Sequence, residues 1–332
     1  MPRLAKIVAF GTAKQLCLSI LLLTMISSGP DTRAHSIVTP ISLHDSAVKD
    51  EFVNVDGLRV HYIESGTGRT VVMIHGNAGS VEDFENGVVN LLSFDYRVVA
   101  IDRPGHGKSD RPARNSAVEF QAQLLHSTLA KLGITQPILV GHSWGAALAL
   151  AYALKYPGEV SAMVLLAPAA YPDDSGGGLL PLAVRIPVIG DLSVLLGKSM
   201  LGQHMLRAGL DRAFYPQHPS DRYFRNTSSL WLGRKQLKAY IEDEASINNS
   251  LKKMSRRYQD IEVPVVIVTG DKDRILSPDQ NARALHAAIP NSRLIELKDM
   301  GHEIPQTHPE IIATALQMIS DTAKCTVSTI SR

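Results

Sequence analysis

Six short apolar runs dominate the chain: TVVMIHG at 70–76, YRVVAIDRPG at 96–105, PILVGHS at 137–143, VSAMVLLAP at 160–168, VPVVIVTG at 263–270 and SRLIELKD at 292–299. Most are nearly continuous rather than alternating, the pattern of strands buried on both faces. Between them lie stretches with helical spacing. VEFQAQLLHSTLAKLGI at 118–134 puts Leu124, Leu125, Leu129 and Leu132 on one stripe, and GAALALAYALKYP is an alanine-rich helix stopped at Pro157. Residues 278–289 and the IIATALQMIS segment after Pro309 add two more helices. Strands alternating with helices predict a mostly parallel central sheet with helices on both faces. Ahead of it, EFVNVDGLRVHYIES alternates, turns at Asp56–Gly57 and alternates again, which predicts a hairpin.

The rhythm breaks after Pro168. Turn formers crowd the next twenty residues, and helical patterns then run to about residue 255 before the strand at 263–270 resumes the series. The expected organisation is a core of residues 51–170 and 256–322 with a helical cap inserted at 171–255. An insertion after a strand end sits where open sheets bind ligands, so a lid is expected. Its LLPLAVRIPVIGDLSVLL segment at 179–196 is apolar enough for a substrate wall or for an ordinary packed helix.

The N-terminus has another character. Arg3, Lys6 and Lys14 precede QLCLSILLLTMIS, and a small residue, Ala34, ends the segment. Residues 1–34 therefore read as a signal peptide or a retained membrane anchor, with a linker at 35–50. The expectation is an exported protein, periplasmic or secreted, or one associated with a membrane through residues 1–34. The two cysteines, Cys17 and Cys325, leave no intrachain disulfide if the leader is removed. With 45% hydrophobic residues, 20% charged residues and a formal charge of +2, the chain is globular and nearly neutral. It carries no basic stripe with interleaved aromatics, so no nucleic-acid partner is expected.

Chemistry concentrates at strand ends. Gly141-His142-Ser143-Trp144-Gly145 fits G-x-S-x-G between a strand and a helix, the context in which a sharp turn presents the serine. Serine needs a base to become a nucleophile. His302, in KDMGHE, and Asp273, in TGDKDRI, each follow a later strand. Asp271 lies two residues from Asp273 and is the rival acid.

The chain resembles the α/β-hydrolase superfamily, in its capped serine-hydrolase branch of esterases, carbon–carbon hydrolases and perhydrolases. HGNAG at 75–79, DRPGHGKS at 102–109, GHSWG at 141–145, GDKD at 270–273 and GH at 301–302 carry the likeness, which spans roughly residues 50–320. It implies that Ser143 attacks, His302 takes its proton and Asp273 orients the imidazole. It also favours Asp273 over Asp271, and gives the backbone amides of Asn77 and Trp144 to the oxyanion hole. Trp144 is also a candidate pocket wall and Asn77 a candidate substrate contact. Haloalkane dehalogenases and epoxide hydrolases of this branch carry aspartate where Ser143 stands, which argues against both activities.

His75, His142 and His106 read as structural hydrogen-bonders. No HExxH or clustered CxxC occurs, and G-x-G-x-x-G is incomplete, so neither metal nor cofactor is expected. The leading expectation is hydrolysis of small or medium hydrophobic carboxylic esters through an acyl-enzyme. Carbon–carbon hydrolysis or lactone opening is the alternative, with peptide cleavage behind them. An iminopeptidase would need acidic cap residues, for which Glu242, Asp243 and Glu244 are available. A catalytically silent binding protein on the same fold is the reading from another class.

Overall fold

Eight strands hydrogen-bond into one sheet in the order β1-β2-β4-β3-β5-β6-β7-β8. The computed structural model describes residues 48–112, 116–173, 200–231 and 233–330, all within one compact unit, His44–Arg332. β1 (Lys49–Val55) and β2 (Leu58–Ser65) form the antiparallel hairpin, turning at Asp56 and Gly57, both at positive φ. β2 pairs antiparallel with β4 (Tyr96–Ile101). From β4 onward every pairing is parallel, through β3 (Arg69–Ile74), β5 (Ile138–His142), β6 (Ala162–Leu166), β7 (Val265–Gly270) and β8 (Ser292–Leu297).

The period-two geometry of a strand explains the continuous apolar runs. Val72, Ile74, Leu139, Met163, Leu165 and Ile267 face one core, which also takes in α1 (Val118–Lys131) and α2 (Trp144–Lys155). Their neighbours Val71, Met73, Val140, Val164, Leu166 and Val268 face a second core. α6 (Glu310–Ile330) closes that side with Ile312, Ala315, Leu316 and Ile319. Between β6 and β7 the chain leaves the sheet and makes an inserted helical region. Its helices are α3 (Met200–Phe214), α4 (Asp221–Trp231) and α5 (Arg234–Met254).

Two differences from the sequence reading follow from physics. β1 begins at Lys49, inside the expected linker, because a polar edge strand with exposed side chains has no apolar signature. The expectation of a membrane-associated protein is corrected. Among the described residues no helix is long and apolar enough to cross a membrane. The two longest, α5 and α6, have 21 residues each and are amphipathic, with α5 charged along its outer face. Residues 1–34, on which the membrane reading rested, lie outside the described residues, as does the apolar segment at 179–196. The localisation expected from that anchor is corrected with it.

Two-sided burial makes a measurable contrast. Ile267→Ala, at a side chain with no exposure, should cost about 2–5 kcal/mol. Leu91→Ala, at 41% exposure, should stay within about 0.5 kcal/mol of the parent. Urea unfolding of both variants checks this, and equal midpoints would contradict the burial of the face of β7 that carries Ile267.

Candidate active site

The GHSWG segment turns from β5 into α2 with almost no free space. Ser143 stands at φ 52, ψ −116, a backbone conformation that costs a non-glycine residue energy. Its neighbours are glycines because the turn is crowded. A Cβ on Gly145 would lie 2.2 Å from the carbonyl oxygen of Ile74, and one on Gly141 2.5 Å from that of Gly145. The turn is pinned by hydrogen bonds from Ser143 N to Leu166 O (2.9 Å) and from Ala169 N to Ser143 O (3.1 Å). Trp144 opens α2, where a helix leaves its first N–H groups without intrahelical acceptors.

His302 and Asp273 come together from the loops after β8 and β7. His302 Nδ1 lies 2.7 Å from Asp273 Oδ2, and both side chains are almost wholly buried. Asp273 Oδ1 accepts from Ile275 N (2.7 Å) and Leu276 N (3.0 Å), so the carboxylate is fixed from both ends. Burial disfavours the charged ring of His302, but the Asp273 carboxylate outweighs it and the net shift is upward. Burial likewise pushes Asp273 up, and His302 with the two backbone donors reverses it to a net lowering. Asp271 does not meet His302. It accepts from Met300 N at 3.3 Å and pairs with Lys272 at 3.1 Å, holding the loop rather than the imidazole.

The HGNAG loop passes directly over the elbow: a Cβ on Gly76 would stand 3.2 Å from Ser143 Cβ. Asn77 is the next residue along this loop. Its side chain turns away, donating to Tyr240 O (3.2 Å) and Glu244 Oε2 (3.1 Å) of α5. Of the other three histidines of these motifs, His75 and His142 carry backbone and His106 meets side chains. His75 Nε2 accepts from Arg103 N at 2.9 Å, and His142 Nε2 reaches His302 O at 3.0 Å. Burial, with His302 nearby, lowers His142 to about 3, so its ring is neutral at ordinary pH. His106 lies 3.1 Å from Asp243 and is held down to about 4 by burial and Arg103.

A buried charge cluster lies beneath this loop, and sequence reasoning missed it. Arg103 Nη1 donates to Asp243 Oδ2 at 2.7 Å and to Gln121 Oε1 at 3.1 Å. Arg111 Nη1 donates to Asp243 Oδ1 at 2.9 Å. Burial pushes the Asp243 carboxyl up, but Arg103, His106 and Arg111 hold it well below the ordinary carboxylate range. Asp243 is therefore engaged on both oxygens, and Glu242 pairs with Arg111 at 2.9 Å. Glu244 accepts from Asn77. Each member of the acidic run considered for an iminopeptidase thus has a partner within the protein. A signal for Asp243 did exist: it falls on the buried helical stripe of Gln236, Ala239, Ile247 and Leu251, not on the solvent face.

A cavity of about 240 Å³ opens beside the Asn77–Ala78 turn. Tyr223, Leu230 and Trp231 of α4, Asp83, and Pro305 and Gln306 after His302 form much of its wall. No group of three or more metal-ligating side chains occurs among the described residues.

Residues 69–309 match the alpha/beta hydrolase fold family, and the chain belongs to it. A 2-hydroxy-6-oxononadienedioate/2-hydroxy-6-oxononatrienedioate hydrolase 2 of Pseudomonas putida is 30% identical over 266 residues, 76% of this chain and 88% of that one. An uncharacterized hydrolase of Bacillus subtilis (strain 168), YugF, is 29% identical over 265 residues, covering 78% and 93%. Among solved structures, an alpha/beta hydrolase fold protein from Burkholderia ambifaria superposes with a TM-score of 0.69 at 25% identity, covering 80% and 96%. The chain is an α/β-hydrolase enzyme bearing a catalytic triad.

The geometry separates the two aspartates. Asp273→Asn should lower kcat by roughly 10⁴-fold, and Asp271→Asn by less than about ten-fold. In the parent, kcat/KM should rise with pH through an inflection above the ordinary histidine value of about 6.5, because Asp273 favours charged His302. Residual activity of Asp273→Asn should inflect at a lower pH than the parent, since burial then opposes the charged ring with Glu303 alone favouring it. An unmoved inflection would remove Asp273 from this role.

Proposed function

We propose that the protein is a serine hydrolase that cleaves a carbon–carbon bond next to a carbonyl through an acyl-enzyme on Ser143. The observation that carries the serine chemistry is the buried His302–Asp273 contact of 2.7 Å, with His302 O 3.0 Å from the ring of His142, the residue next to a serine held at positive φ. The bond type rests on the likeness to the Pseudomonas putida enzyme, whose name specifies an oxo-dienedioate substrate.

In this reading Ser143 Oγ adds to the carbonyl carbon and its proton passes to His302 Nε2. Asp273 holds the other ring nitrogen, so the imidazole is oriented as base and its cation is stabilised. The carbonyl oxygen becomes an oxyanion held by the N–H groups of Asn77 and Trp144, each donor worth about 3 kcal/mol. When the carbonyl re-forms, the carbon–carbon bond breaks. Its electron pair leaves with a carbon that a neighbouring conjugated group stabilises, and His302 returns the proton there. Water, deprotonated by His302, then attacks the acyl-enzyme and releases a carboxylic acid. A small or medium organic substrate is supported by the substrate that the Pseudomonas putida enzyme's name specifies; the cavity beside Ala78 is not lined by Ser143, His302 or Asp273 and does not carry that reading.

Ester hydrolysis is the second reading, favoured by the same serine nucleophile: an ester supplies a leaving group that needs no conjugation. Initial rates on a 2-hydroxy-6-oxo-dienedioate and on 4-nitrophenyl butyrate decide between them. The dienedioate should give the higher kcat/KM by about 100-fold or more, and Ser143→Ala should abolish turnover of both by roughly 10⁴-fold or more. The opposite substrate ranking would make the protein an esterase. Full activity in Ser143→Ala, or failure of a fluorophosphonate to label Ser143, would end both readings.

A further inference from the structure

We propose that Arg103 is a positioning residue for the oxyanion hole, and that Asp243 on the inserted helix α5 holds it in that role. The inference rests on the assignment of the Asn77 and Trp144 amides to the oxyanion.

Arg103 touches both donor residues. Its Nη2 donates to Gly76 O at 3.2 Å and lies 3.4 Å from Asn77 Oδ1. Gly76 O and the N–H of Asn77 belong to one peptide unit and point in opposite directions from its plane axis, because the unit is planar and trans. Fixing the oxygen, which Arg103 shares with His75 Nδ1 at 2.8 Å, therefore fixes where the Asn77 N–H aims. The same guanidinium lies over the Trp144 indole, 3.9 Å from the ring centroid. Trp144 is fully buried, so clamping its ring restrains the first residue of α2 and the N–H it presents.

What restrains Arg103 comes from outside the sheet. Its Nε is buried and has no hydrogen-bond partner among the described residues, so the guanidinium is held through its Nη atoms and the indole stack. The shortest of those contacts is to Asp243 Oδ2 at 2.7 Å. Gln236, two turns earlier on α5, donates to Ala78 O (2.8 Å) and Gly79 O (3.0 Å) and accepts from Gly107 N (2.8 Å). α5 thus grips the donor loop directly and through Arg103. The insertion, expected from sequence as a lid, is in this inference tied to the donor loop itself.

A purely structural ion pair would serve only to fasten α5 to the core. Arg111 separates the two roles, because it binds the same Asp243 and also Pro104 O at 2.8 Å, while Gly76 O and Trp144 are Arg103 contacts. The test uses the full chain with Arg103→Lys, Asp243→Asn and Arg111→Gln, at a temperature where circular dichroism shows each folded. Asp243→Asn keeps shape and volume, and decides alone if Arg103→Lys does not fold. The probe is an alkyl trifluoromethyl ketone, to which Ser143 Oγ adds as its proton moves to His302 and the carbonyl oxygen becomes an oxyanion. The matching methyl ketone competes for the same space without that charge.

Arg103→Lys and Asp243→Asn should weaken the trifluoromethyl ketone by about 10- to 100-fold, with an equal fall in the acylation burst rate on 4-nitrophenyl butyrate. Affinity for the methyl ketone should stay within about two-fold. Arg111→Gln should lower the melting temperature and leave the ratio of the two ketones unchanged. If all three variants leave that ratio unchanged, or shift it equally, Arg103 has no positioning role. If the parent does not discriminate between the ketones, the oxyanion assignment itself fails, a result distinct from the first.

Discussion

A guanidinium taken out of water loses several kcal/mol of hydration unless its surroundings replace it. Arg103 is buried to 1% exposure, and almost everything that replaces its water is also something the candidate site needs. Gly76 O belongs to the loop over Ser143, the indole of Trp144 to the first turn of α2, and Asp243 to the insertion. Gln121 comes from α1 in the sheet's helical cover. One charge thus gathers four separate pieces of chain, and none of them can shift without leaving it under-solvated.

The loops after parallel strands have no ladder partners at that depth, so something else must define their course. Here the insertion supplies the acceptors and the contacts. His302 N donates to Ala213 O at 3.0 Å, and Gln217 donates to Asp299 O at 3.0 Å. Arg212 donates to Arg274 O at 2.9 Å, one residue from Asp273. Tyr223 OH donates to Asp83 Oδ1 at 3.1 Å behind the HGNAG loop. Acid, base and donor loops are each fastened to helices that come from between β6 and β7.

How legible this was in the sequence depends on the range of each interaction. Strands β3 to β7 announced themselves because two buried faces leave few polar positions, Thr269 alone in a run such as VVIVTG. The elbow was readable because its glycines answer a local need, the approach of Gly145 to the Ile74 carbonyl. The choice between Asp271 and Asp273 could be stated but not seen, since it depends on which carboxylate points at a ring 29 residues later. The Arg103–Asp243 contact spans 140 residues of sequence, and Asp243 sits in an acidic run that resembles any solvated helix face. Only its register with Ala239 and Ile247 betrays it. The hairpin turn was visible at Asp56–Gly57, but the polar start of β1 was not, because an edge strand's outward residues carry no hydrophobic period.

The hold of α5 on the HGNAG loop bears on how such enzymes diversify. Segments inserted after β6 look interchangeable when drawn above a conserved sheet. In this chain the inserted helix provides the carboxylate for Arg103 and the amide that bridges Ala78, Gly79 and Gly107. A grafted segment lacking an acid and an amide at the places of Asp243 and Gln236 would leave a buried cation uncompensated and a loop unanchored. New specificity can therefore enter through the exposed positions of α3 and α4, such as Met205, more freely than through α5, whose inward stripe has to descend together with the loop it holds.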